Sequence, residues 1–212
     1  MVTIGTLALY RGIAQIILRE RGVSGFPEWY QNMGFGTIDG TLIPWSSTIF
    51  VLFFIGFAVF LHATHWGRAL YAIGNNREAT RFSGINVKRA ILGVFVASGA
   101  MSSLAAIVLT AYLASARSDT AIGLELPVIT AVVLGGVNIF GGSGTMVGVL
   151  IALLVLAFVQ NALGLAGVTP EGQQIVTGAV LIVTLIVFGS SAIIKKASAT
   201  LRRSRAVGLS RD

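Results

Sequence analysis

Long apolar runs alternate with short polar connections along the chain. Six runs approach the about 20 apolar residues, at 1.5 Å rise each, that a helix needs to cross a bilayer. They are residues 1–18, 43–61, 90–113, 127–140, 145–165 and 174–188. The pattern predicts an all-α, polytopic membrane protein with about six transmembrane helices. The fourth run is short: its residues 127–140 make roughly 21 Å of helix against a hydrocarbon core of roughly 30 Å. It runs into GGVNIFGGSG at 135–144. That much glycine lets backbones approach closely and lets a helix break. A short helix broken at a glycine-rich turn is therefore expected. The turn has two readings: a bent element along a substrate path, tolerated where it lines a cavity, or a tight packing turn between antiparallel spans. Gly144 and Gly148 have the small-xxx-small spacing of helix contacts.

Among the polar connections, residues 67–89, GRALYAIGNNREATRFSGINVKR, stand out. Arg68, Arg77, Arg81, Lys88 and Arg89 face a single acid there, Glu78. The positive-inside rule places such a loop in the cytosol. Alternation then sets the remaining connections. Residues 19–41, 114–126 and 166–172 lie outside, 141–144 lie near the inner side, and both chain ends are cytosolic. The carboxy-terminal tail, with Lys195, Lys196, Arg202, Arg203, Arg205 and Arg211, thereby falls on the side its charge prefers. Residues 1–190 read as a membrane domain and 191–212 as a basic, serine-rich cytosolic tail that does not pack. The amino end does not read as a signal peptide, because it lacks a basic leader and Arg11 interrupts its apolar stretch.

Composition narrows the function. The chain is 55% hydrophobic and 11% charged, against about a quarter charged in an ordinary soluble domain. The net charge of +7 would suit nucleic acid. However, five basic residues sit in the loop and six in the tail, out of 15 in all. That distribution fits membrane orientation and attraction to anionic headgroups, and no nucleic-acid module is visible. Absent cysteine excludes disulfides and thiolate sites. His62 and His65 end a span without the further ligands zinc needs. The outer segment 19–41 carries Gly22, Gly25, Pro27, Trp29, Tyr30, Gly34 and Gly36. It reads as an external loop with a short interfacial helix.

No catalytic constellation appears, so ATP hydrolysis, if it drives the protein, belongs to another chain. Within the basic loop, Glu78, Ala79, Arg81 and Phe82 can form a short amphipathic helix. Gly74, Asn75 and Asn76 are expected to end the preceding span, and Gly84, followed by Ile85, to close the short helix in a left-handed conformation. Such a helix can dock in a groove of a partner subunit, or the loop can simply be solvated. For a substrate path the candidates are Tyr10 and Arg11 in the first run, with Gln15 one turn on. A charge inside a span usually faces an interior or a water-filled cavity. Asn138, Gln160 and Asn161 are the later polar candidates, able to bind hydroxyls or to tie helices together. Glu125 and Asp119 are rim charges. An ion-coupled transporter or channel subunit is the alternative. It would usually carry acids within its spans, and here none lies inside one.

The segments TIGTLALYRG (3–12), GRALYAIGNNREATRFSGI (67–85), GLELPVITAVVLGGVNIFGGSGTMVGV (123–149) and QNALGLAGV (160–168) resemble bacterial ABC importer permeases of the monosaccharide type. The ribose, rhamnose and autoinducer-2 group is the nearest. The resemblance covers the carboxy-terminal part of such permeases, as if the amino end were truncated. It implies a transport subunit, not an enzyme, with no cofactor and no metal. Two permease subunits, as a homo- or heterodimer, would form a pore in the bacterial inner membrane. ABC ATPase subunits would dock on the loop of Glu78, Ala79 and Gly84, and a periplasmic sugar-binding protein would deliver the substrate.

Overall fold

A computed structural model describes residues 2–19, 21–37, 42–139 and 141–187. The tail, 191–212, lies outside the described residues. The chain divides into two compact units, residues 1–122 and 123–212.

The first unit holds α1 (Val2–Leu18), β1 (Val23–Ser24), α2 (Glu28–Phe35), α3 (Trp45–Ala63), α4 (His65–Asn75), α5 (Arg77–Phe82), α6 (Val87–Leu113) and β2 (Ser115–Ala116). The second holds α7 (Glu125–Leu134), α8 (Met146–Leu165) and α9 (Pro170–Val187). Four of these helices, α3, α6, α8 and α9, are long and apolar enough to cross a membrane. The first and fourth expected spans are shorter apolar helices, 17 residues in α1 and 10 in α7. α7 is roughly 15 Å long, about half the hydrocarbon thickness. The protein is an all-α, multi-pass membrane protein; among the described residues its one sheet is a two-residue antiparallel ladder pairing Val23 with Ala116 and Ser24 with Ser115.

No residue of α3 is buried within the chain. Phe50, Leu52, Ile55 and Val59 are exposed along it, as suits a helix whose solvent is lipid. Among the described residues, burial in the first unit gathers at the two ends of α6 and at the α3–α4 corner, where Gly67 is buried. At its carboxyl end, α2 lies across it. A side chain at Gly34 would overlap backbone of Ala111 and Tyr112, so only glycine admits that approach. Tyr30 Oη lies 2.5 Å from Thr110 Oγ1 and donates to Ile107 O at 3.1 Å. Phe35 stacks on Tyr112. The expected short helix of the outer segment is therefore present as α2, clamped to a spanning helix.

In the second unit, α7 and α8 pack against each other through glycine. A Cβ on Gly135 would fall 2.6 Å from Val149 Cα, and one on Gly148 would overlap Gly135 O. α7 ends because Gly136, at φ +80°, turns the chain left-handed. Gly136 N then donates to Val133 O and Val137 N to Val132 O, at 3.0 and 3.2 Å. This Schellman arrangement satisfies the last carbonyls. α8 ends the same way, with Gly167 at φ +76° donating to Gly164 O and Val168 donating to Leu163 O. The glycine-rich stretch thus serves as a packing turn. The close partner of Gly148 is Gly135, while Gly144 sits against Val137.

Candidate coupling site and substrate path

The polar stretch 67–89 departs from the expected loop. α3 ends at Ala63 and the chain breaks at Thr64, whose extended backbone (φ −96°, ψ 158°) lets Oγ1 accept from Gly67 N at 3.2 Å. Thr64 therefore caps a separate helix, α4. The corner is tight, since a side chain on Gly67 would overlap Leu61 O. Gly74 and Asn75 do not end a span; they lie inside α4. Asn76 is not left-handed but extended (φ −155°), and it caps α5. Its Oδ1 accepts from Glu78 N and Ala79 N, both at 3.0 Å, two of the donors a helix start leaves without partners.

α5 is the short helix the sequence suggests, and Gly84 closes it at φ +81° with its N–H on Arg81 O at 3.1 Å. Asn86 Oδ1 then accepts from Arg89 N and starts α6. Lys88 and Arg89 consequently belong to the first turn of a spanning helix. α4, α5 and α6 pack against one another, with Gly67 and Ile73 of α4, Thr80 of α5 and Ala90 at the start of α6 buried. Thr80 Oγ1 donates to Asn76 O at 2.8 Å, which satisfies it on the buried side. Arg77, Glu78, Ala79, Arg81 and Phe82 all face out, and Ile85 is half-buried. The result is a capped, rigid and predominantly basic projection at the amino end of α6.

At the opposite end of α6, Arg21, Arg117, Ser118 and Asp119 line an open notch of about 330 Å³ beside the β1–β2 ladder. Arg117 Nε donates to Asp119 Oδ1 at 2.9 Å. The hydrogen bond from Arg117 holds the Asp119 carboxyl below its ordinary value. Two-residue strands leave no signal in a hydrophobic pattern, so the notch was not foreseen.

The substrate-path candidates fall in both units. Tyr10 and Arg11 are neighbours on α1, with Tyr10 exposed and Arg11 half-buried. Asn138 lies in the turn before α8, where its N–H donates to Ser143 O at 2.9 Å. Gln160 and Asn161 lie near the far end of α8, roughly 21 Å along the axis from its first residue. The buried polar side chains of the second unit are instead Thr130, Thr177 and Thr184. Each donates to the carbonyl four residues back, Leu126, Gln173 and Val180, at 2.7 to 2.9 Å. Threonine reads as an ordinary helix residue in sequence, and these three give no periodic signal.

Comparison with known proteins places the chain. The profile of the family described as "Branched-chain amino acid transport system / permease component" matches residues 1–185. The chain belongs to this permease family. Among its curated relatives is the autoinducer 2 import system permease protein LsrD of Photorhabdus temperata, 34% identical over 192 residues, 88% of this chain and 57% of the relative. The proteins of the same name from Escherichia coli K12 and Shigella flexneri are each 36% identical over 88% of this chain and 58% of their own length. The chain thus spans a little over half the length of these relatives. No solved structure matches. The relatives are transport subunits rather than enzymes.

Proposed function

We propose that this chain is a permease subunit of an ATP-driven importer in the bacterial inner membrane, with both ends cytosolic. Its cargo is a monosaccharide or a similar small polyol, of the class to which the relatives' autoinducer 2 belongs, handed over by a periplasmic binding protein. A second permease subunit completes the pore. The observation that carries this reading is α5, a capped helix with outward-facing Arg77, Glu78 and Arg81, braced against the start of a spanning helix. Force applied to α5 by a soluble ATPase reaches α6 without passing through a flexible linker. Tyr10, Arg11, Asn138, Gln160 and Asn161 remain the candidates along the path.

Co-purification tests the reading. An ATPase subunit retained by the native chain and lost on Arg81→Glu supports it. Uptake that survives ATP depletion but collapses with the ion gradient points to a secondary transporter instead.

A further inference from the structure

Phe82 is 91% exposed, at the last position of α5 and within the polar stretch 67–89. Most exposed apolar side chains here lie on spanning helices, where lipid covers them. Phe82 instead sits on the six-residue α5, between Arg81 and Ser83. Its helix cannot easily turn the ring away. Thr80 is buried on the opposite side, Asn76 fixes the start and Gly84 fixes the end.

We propose that Phe82 is the apolar anchor of the α5 docking surface, filling a slot in the ATPase subunit whose rim is acidic. The proposal rests on the importer reading given above and adds the residue that holds the partner. Interfaces gain most from a large side chain fully desolvated at the centre of a polar ring. Phe82 has that surrounding: Glu78 lies one turn back on the same face, and Arg77 and Arg81 flank it. The excess of cations over the single Glu78 in residues 67–89 selects a partner surface edged with carboxylates.

The test uses the full chain in nanodiscs of phosphatidylcholine and phosphatidylglycerol, titrated with the purified ATPase subunit of the same import system. Phe82→Ser is expected to weaken binding roughly 10- to 100-fold, the scale of losing a buried phenylalanine, and Phe82→Leu to restore most of it. Photoreactive p-benzoylphenylalanine at position 82 is expected to cross-link to the ATPase. If Phe82→Ser binds like the native chain while Arg81→Glu loses binding, the importer reading stands and the anchor is wrong. Cross-links to lipid alone would make Phe82 a membrane anchor and overturn the proposal. Native chain that binds no ATPase overturns both.

Discussion

Replacing Gly135 by alanine isolates the contact on which the second unit depends. Gly135 has φ −69°, a value alanine adopts freely, so the substitution carries no backbone penalty. Its effect is steric. The new Cβ would stand 2.6 Å from both Cα and N of Val149 and 2.8 Å from Gly148 C. These are backbone atoms of α8, and no side-chain rotation relieves them. The helices must separate, which forfeits packing along α7 and α8 at about 1–3 kcal/mol. Gly93→Ala is the control: Gly93 lies inside α6 with nothing within 4 Å of an added Cβ. There alanine should stabilise the helix by roughly 0.5–1 kcal/mol. The two variants should therefore differ by roughly 1.5–4 kcal/mol with opposite signs. Reversible unfolding in mixed detergent micelles, followed by circular dichroism, measures the difference. Equal shifts for both variants, or a Gly135→Ala chain as stable as the native one, would refute close α7–α8 packing.

Three further outcomes follow from the same geometry. Asn76→Ala removes both cap bonds to Glu78 N and Ala79 N and should destabilise α5 by about 1 kcal/mol, read as faster hydrogen exchange at those two amides. Gly84→Val forces a branched residue to φ +81°, at roughly 1–2 kcal/mol. It should weaken ATPase capture while membrane insertion proceeds, and loss of insertion would mean that the segment serves topology only. The Arg117–Asp119 pair should hold from neutral pH down to the ordinary carboxylate range. Because the folded-state pKa of Asp119 is lowered, its contribution is present above the unfolded value, about 3.9, and is lost as pH falls through the lowered one. Limited proteolysis of segment 115–121 should accelerate only in acid, and Asp119→Asn should abolish that dependence.

The spanning helices were legible in sequence because lipid imposes a length and a hydropathy that no competing signal obscures. α3, α6 and α8 begin and end within a few residues of the apolar runs. What the pattern missed lies where short-range chemistry decides. α4 merges with α3 in any hydropathy average, and only the capping geometry of Thr64 separates them. Asn76 was seen as a helix breaker, yet its side chain starts the next helix. α5 and Gly84 were readable because an acid, a cation and a following glycine at that spacing are a local code. Asn138 and the Gln160–Asn161 pair were readable as polar residues among apolar ones, but their separation depends on where the turn before α8 falls. The Gly135–Gly148 contact needed the structure, because small-residue spacing within one helix does not name the partner on another.

The central claim is that residues 67–89 face the cytosol and present α5 to an ATPase. The chain contains no cysteine, so Ser83→Cys introduces a single thiol on this projection. Labelling it with a membrane-impermeant maleimide in inside-out and right-side-out vesicles tests the claim directly. We expect modification only in inside-out vesicles, with protection when the ATPase subunit is added. Modification from the periplasmic side would contradict both the orientation and the importer assignment.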